Sequence, residues 1–598
     1  MVARAFIDSM KLAQLSSLLL AALATLLAQP GPGPGPGAGP GVMRSLKGVP
    51  VPEPVGLEEY VRDRATLVAL GKAFFWDMQA GSDGRTACAT CHFHAGADMR
   101  SRNQLVDPGR AFAVNQDLTK ISFPLRQLAD PHNRNSPVLA DSSARVGSAG
   151  TFRRQFEDIV PGAAAEMGAD LTDDPSFTKG DLYVRRVTTR NSPSVINSVF
   201  YTRGFWDGRA SRIFNGFTVS GDAATVAQAP GLLESRDGLL VRRAVRLDNS
   251  PLASQAVGPV LDHLEMSYAG RSWPKLGQKM LNLPPLAFQR VSVQDSVLGP
   301  FARGGDLPGL QPQYSYRALI QAAFEPRYWE SLQLVDESGA PVASRGFTQA
   351  EYNFPLFWAL ALQAYQSTLV SDDSRFDRFA EGDPAALTAE EHAGLQIFQN
   401  QGRCATCHGG PEFSNAVYPG NRPDAFERTG VRPAAEDLGA GNGQFKSVTL
   451  RNVELTGPYF HNGGAATLEQ VVEFYIRGGD FNPVNDIRPF NVSPAQKAAL
   501  VAFLKALTDD RVRHERAPFD HPELCVPDGH PETDDGALLA GEIAPFWRSA
   551  AERWIAIRES GANGNAAPLR TFEELLRNIG SDGSRAHAAG EACTAPLP

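Results

Sequence analysis

"CATCHFHAG" at residues 88–96 is answered much later in the chain by "CATCHGG" at residues 404–410. Two cysteines three apart with a histidine directly behind them form the attachment site of a c-type haem. Both thiols add to porphyrin vinyl groups and the histidine becomes an axial iron ligand. A structural zinc site is the competing reading of the same Cys-x-x-Cys pair. It needs two further Cys or His ligands at each copy, and the chain has six cysteines, four of them already in the two motifs. Haem is therefore the reading adopted: Cys88, Cys91 and His92 hold one group, and Cys404, Cys407 and His408 hold the other.

The approach to each motif repeats as well. "LGKAFFWD" precedes the first and "AGLQIFQN" the second, so Gly71 matches Gly394 and Phe75 matches Phe398. Leu57, Tyr60, Val61, Leu67, Leu70 and Phe74 recur at helical spacing. Thr388 with Glu391 forms a capping box before the second motif, and Thr467 with Gln470 and Ser493 with Pro494 and Gln496 mark two later helix starts. The expected fold is mainly α, with two cytochrome c-like haem domains, long loop insertions and a C-terminal extension. The expected divisions are 51–350 for the N-terminal haem domain, 351–510 for the C-terminal haem domain and 511–598 for the extension.

Composition fits an ordinary globular chain of 598 residues, 42% apolar and 21% charged, and a net charge of -9 offers no basic footprint for nucleic acid. Arg4 and Lys11 precede the apolar run "LAQLSSLLLAALATLLA", so residues 1–28 read as a secretory signal rather than an uncleaved anchor. "QPGPGPGPGAGPG" then opens a Pro/Gly-rich linker over 29–50. The chain is expected to be periplasmic or secreted, with no stable membrane span after cleavage. In such a compartment Cys525 and Cys593 are candidates for a disulfide.

A haem with two strong axial ligands passes electrons, whereas one with an open position binds peroxide or dioxygen. All eight methionines lie at or before Met280, so the second unit has none of its own to complete a His/Met pair. Downstream of His408, "LRNVELTGPYFHNGG" offers Tyr459 and His461, and either residue type can ligate iron.

"RNSPSVINSVFYTRGFWDGRAS" (190–211), "SQAVGPVLDHLEM" (254–266) and "LRNVELTGPYFHNG" (450–463) resemble signature segments of the bacterial di-haem cytochrome c peroxidases and the related MauG-type enzymes. The resemblance implies a peroxide-reactive N-terminal haem and a C-terminal haem that transfers electrons. It implies Trp206 as the tryptophan between them, Glu265 as the acid beside the reactive iron and Gln255 as the companion glutamine. Asn191 matches a residue that binds an inter-haem calcium, although the other calcium contacts have no clear match. Gly457 stands where many peroxidases have a methionine ligand, which turns attention to Tyr459 or His461. His94 and His132 are the only histidines between His92 and Arg190 that could cover the first haem, and neither is well placed for it.

Insertions at roughly 100–188 and 207–253 and the tail beyond 510 bring the length closer to that of di-haem rubber oxygenases, which the segment "RASRIFNGFTVSG" also resembles. Four functions follow for comparison: hydrogen peroxide reduction with electrons from a small soluble donor (a cytochrome c or cupredoxin), MauG-like oxidation of a partner protein, oxygenation of a hydrophobic substrate, and plain electron carriage. Glu265 favours the first.

Overall fold

The computed structural model describes residues 42–577 except 102–104, 107–117, 119–121, 172–177, 180–181, 226–227, 418–424, 482–485, 531–539, 543–547 and 551. Four helices organise it: α1 (Arg64–Trp76), α2 (Phe354–Gln366), α3 (Ala389–Gln399) and α4 (Pro494–Lys505). The helix before the first motif starts later than the apolar spacing implies. Asp63 accepts a hydrogen bond from the Thr66 N–H at 2.8 Å and caps α1. Leu57, Tyr60 and Val61 therefore precede the helix, and Tyr60 stacks on Tyr328 instead. The other helix starts form as expected, with Thr388 and Glu391 closing a reciprocal capping box, Ser493 and Gln496 another, and Thr467 capping through the Gln470 N–H.

The sequence repeat has a packing counterpart that extends to partner helices. α1 crosses α2 at Gly71, where a Cβ would lie 1.8 Å from the Ala361 carbonyl oxygen. α3 crosses α4 at Gly394, where a Cβ would lie 2.0 Å from the Ala499 carbonyl oxygen. Glycine is required at both positions because the backbones touch. One turn later, Phe75 meets Tyr365 edge-on at 5.4 Å and Phe398 meets Phe503 edge-on at 5.3 Å. Aromatic pairs of this geometry add about 0.5–1.5 kcal/mol beyond the area they bury. Ala361 and Tyr365 thus correspond to Ala499 and Phe503, an equivalence obscured in sequence because only the alanine is kept.

Each helix pair has its own buried core. The first collects Leu67, Leu70 and Phe74 with Phe357, Trp358 and Leu362, and the second Leu395 and Phe398 with Leu500 and Phe503. α2 lies beyond the division expected at residue 350, yet it belongs to the first core.

The expectation of a mainly helical chain holds for these cores, while the whole is a mixed α/β structure. The insertions and tail form short antiparallel ribbons, such as Leu232–Arg236 with Leu239–Arg243 and Leu524–Pro527 with Trp554–Ile557, and one four-stranded sheet. Cys525 in the latter ribbon is disulfide-bonded, whereas none of the four motif cysteines is in a disulfide. Cys593, the partner expected for it, lies outside the described residues, as does the leader at 1–28. Among the described residues no helix is long and apolar enough to cross a membrane.

Candidate active site

Both motif histidines are set up in the same way. Each pentapeptide begins a short 3-10 turn, Cys88–Cys91 and Cys404–Thr406. The chain then curls back through left-handed residues, Ala95 and Gly96 in the first loop and Gly410 and Phe413 in the second. His92 Nδ1 comes within 2.9 Å of the Gly96 carbonyl, and His408 Nδ1 within 3.1 Å of the Phe413 carbonyl. A carbonyl can only accept, so Nδ1 carries the proton in each ring and the Nε2 lone pair is left for a metal. Such a partner fixes ring orientation and strengthens the ligand.

Segment 190–206 ties the first loop to residues 458–461. Ser194 Oγ donates to the Ala95 carbonyl at 2.7 Å and the Val195 N–H to the Gly96 carbonyl at 3.0 Å, which pins the first loop. At its other end the Asn191 N–H donates to the His461 carbonyl, and the Asn191 side-chain amide donates to the Pro458 carbonyl. Trp206 Nε1 returns to the Asn191 carbonyl at 2.8 Å, and the Trp206 ring meets His461 edge-on at 6.3 Å. The segment that carries part of the sequence resemblance is therefore a strap from the first motif loop to residues 458–461, which line the second cavity.

A cavity of about 800 Å³ opens above the second motif, lined by Cys404, Cys407 and His408 together with Trp206, Tyr459 and His461. That volume lies within the roughly 300–1,000 Å³ typical of cofactor sites, and the cysteine and histidine donors match a haem. His461 is face to face with Phe445 at 3.7 Å, and its Nε2 lies 3.7 Å from Asp437, which Arg190 grips with two hydrogen bonds. Burial lowers the His461 pKa to about 3, with Asp437 opposing the shift and Arg190 and Arg145 adding to it. Tyr459 has no side-chain hydrogen-bond partner among the described residues, and Phe460 between the two adopts φ +70°. Gly457 cannot carry a side chain in place: a Cβ would lie 2.9 Å from the Cβ of Phe572, in the C-terminal helix Phe572–Arg577.

Glu265 borders a separate cavity of about 300 Å³ with Phe205, Arg209, Val219, Ser220 and Asp262. Burial raises its pKa to about 7, reinforced by Asp262 and opposed by Arg209. The first motif lies within its electrostatic reach. Burial, then Cys91, then Glu265 push the Cys88 thiol up to about 12. Gln255 does not share this cavity. Its Oε1 accepts the Phe205 N–H at 3.1 Å, and its side chain faces a smaller void with Gly204 and Lys446. The chain between the two residues ends a helix at Ala256 and makes a 3-10 turn at Pro259–Leu261. That turn carries Glu265 to another wall. Gln255 instead supports Phe205, whose φ of +61° is unusual for a bulky residue. His132 is exposed, and His94 Nε2 bonds the Arg570 carbonyl at 2.9 Å.

Sequence reading missed Arg209, Asp437 and Lys446. Arg209 was available in "FWDGR", three residues past Trp206, whereas Asp437 lies in a loop with no motif around it. Lys446 is a buried lysine whose Nζ sits 3.8 Å over the Tyr201 ring and donates to the Arg203 carbonyl at 3.0 Å. Burial lowers its pKa to about 7, with Asp207 opposing the shift.

The family profile described as "Di-haem cytochrome c peroxidase" matches residues 165–385, which include Asn191, Trp206, Gln255 and Glu265. Over that stretch the chain is similar to the di-haem cytochrome c peroxidase/MauG family. Its relatives include a cytochrome-c peroxidase IdrP1 of Denitromonas iodatirespirans, 36% identical over 28% of this chain and 54% of the relative. The methylamine utilization protein MauG of Methylorubrum extorquens is 35% identical over 27% of this chain and 46% of its own length. The cytochrome c551 peroxidase of Nitrosomonas europaea is 40% identical over 25% and 44%. The chain thus spans about half the length of the curated relatives it matches. A solved MauG-like protein associated with microbial copper homeostasis aligns over 79% of this chain and 96% of its own, at 18% identity and a TM-score of 0.40.

Proposed function

We propose that the protein is an exported di-haem peroxidase. In this reading hydrogen peroxide is reduced at an N-terminal haem attached through Cys88 and Cys91 and ligated by His92, with electrons arriving by way of a haem on Cys404, Cys407 and His408. The N-terminal unit runs through α2 to Gln366, since α2 completes its core. The observation that carries the function is Glu265: a desolvated carboxyl on a cavity, near the first motif, with a pKa at working pH. When bound, haem supplies an iron that accepts peroxide and exchanges electrons. The protein must move a proton from one peroxide oxygen to the other, which a positioned carboxylate does. Arg209 at the same cavity favours the ionised form, and Gln255 positions the loop that shapes the cavity wall. A plain carrier has no use for such a group, and an oxygenase on an oily substrate would gain little from it.

Trp206 is proposed to link the two sites, since it lines the second cavity and is fixed by the strap that also pins the first loop. Mixing the holoprotein with one equivalent of hydrogen peroxide should change the spectra of both haems in sequence. In Trp206→Phe the first change should persist and the second slow. Equal rates in the variant would remove the link, and no spectral change in the wild type would remove the peroxidase reading. The electron source is proposed to be a small cytochrome c or cupredoxin.

Tyr459 is proposed as the sixth ligand of the second haem. His461 has its ring committed to Phe445 and its Nε2 turned to Asp437, whereas the Tyr459 hydroxyl is uncommitted on the cavity wall. A tyrosine ligand also supports the MauG-like alternative, oxidation of a partner protein. Tyr459→Phe should convert the second haem to a high-spin spectrum, while His461→Ala should leave its ligand set unchanged. The reverse pattern would assign His461. Calcium is proposed near Asn191, where a turned-over amide would join its Oδ1 to the Pro458 carbonyl as two neutral oxygen ligands.

A further inference from the structure

Three buried residues that the proposed reaction does not use meet beside His92. Trp76 ends α1, and its indole lies parallel to the His521 imidazole, with ring centroids 4.6 Å apart and planes inclined by 13°. Its Nε1 donates to the Tyr365 hydroxyl at 3.0 Å. Together with Phe75 and His92, all three border one void of about 30 Å³. His521 comes from the C-terminal extension, where its Nδ1 bonds the Pro522 carbonyl at 2.8 Å. Burial lowers its pKa, so it stacks on Trp76 as a neutral ring.

A core tryptophan is ordinarily there for its buried area, and area alone would explain Trp76. Its surroundings go further. Lys72 Nζ sits 2.8 Å from Asp295 Oδ1 and 3.6 Å from Asp520 Oδ2, all with side chains shut off from solvent. One lysine faces two aspartates, to which the Ser296, Val297 and Leu298 N–H groups also donate. Asp295 Oδ2 has no hydrogen-bond partner among the described residues. Both carboxylates act on Tyr365, and at His521 they oppose Lys72, whose effect there exceeds that of either one. In a medium of low dielectric, carboxylates favour positive charge nearby. The place is therefore suited to an indole that has lost an electron.

We propose that Trp76 is a second oxidisable residue at the peroxide site, with Tyr365 and His521 as the positioning residues that hold it. The proposal rests on the peroxidase reading above. Hydrogen peroxide is the oxidant: it takes up two electrons and two protons, its O–O bond breaks and two waters form. When no external donor is present Trp76 supplies one of those electrons and the path through Trp206 supplies the other. The indole becomes a radical cation that keeps its N–H bonded to the Tyr365 oxygen. An electron from the external donor later restores it.

The test is electron paramagnetic resonance on holoprotein frozen after one equivalent of hydrogen peroxide, without donor, in protein grown on ring-deuterated tryptophan and in unlabelled protein. An organic radical whose hyperfine pattern narrows on deuteration, and which is lost in Trp76→Phe, is the expected result. Tyr365→Phe removes only a hydroxyl and should keep the radical with an altered hyperfine pattern, which decides the matter if Trp76→Phe does not fold. A tryptophan radical undiminished in Trp76→Phe, or unaltered in Tyr365→Phe, overturns the proposal. Haem spectra that respond to peroxide without any tryptophan radical also overturn it, while leaving the peroxidase reading intact. Haem spectra that do not respond overturn both.

Discussion

Replacing Cys88 and Cys91 together by alanine is expected to yield a protein with one covalent haem in place of two and no measurable peroxide turnover. Each pentapeptide carries its own thiols, its own histidine with an Nδ1 anchor, and its own helix pair closed over a glycine. Nothing in the second loop depends on the first for attachment. The thiols of the first loop are held in the neutral form, Cys88 and Cys91 both near 12, with burial the largest cause. Without them His92 alone must hold the porphyrin. Mass spectrometry of the denatured chain reads the outcome directly, and the second haem's absorption should be retained. Two haems on the double variant would show that the motif is not the attachment site.

The shared geometry of the two motif loops was legible because each motif is written in a few consecutive residues. The same holds for the capping boxes at Thr388 and Ser493, where one side chain answers another three positions on. What was not legible is what depends on distant chain. The equivalence of Tyr365 with Phe503 is set by two glycines in other helices, and only a helix crossing reveals it. That α2 shares the first core is not legible either, because nothing within its own sequence says which partner it packs against. Leu57 to Val61 extend the apolar spacing of α1 in sequence, yet the Asp63 cap stops the helix short of them. Gln255 shows the opposite case. The resemblance implies that it accompanies Glu265, whereas with an intervening 3-10 turn the two side chains line different cavities. The ribbons of the insertions were missed because strands of two to five residues show too little alternation to stand out.

Glu265→Gln should slow the reaction with peroxide by about 10²- to 10⁴-fold, the usual contribution of a general acid/base group. Glutamine keeps the size and polarity of the side chain at the 300 Å³ cavity but cannot take up a proton. The pH dependence follows from the same carboxyl. Burial raises its pKa to about 7, so it is protonated below that pH and able to accept a proton only above it. The second-order rate with peroxide should therefore rise as pH increases through about 7 in the wild type, and the Gln variant should lose that rise along with the rate. Arg209 provides a check on the electrostatics. Its charge opposes the raised pKa, so Arg209→Met should move the rise to higher pH while leaving the rate above it largely intact. Stopped-flow measurement at the first haem across pH 5–9 would record all three behaviours. A Gln variant that reacts at the wild-type rate, with the same pH profile, would take the proton-transfer role from Glu265 and leave the carrier and oxygenase readings standing.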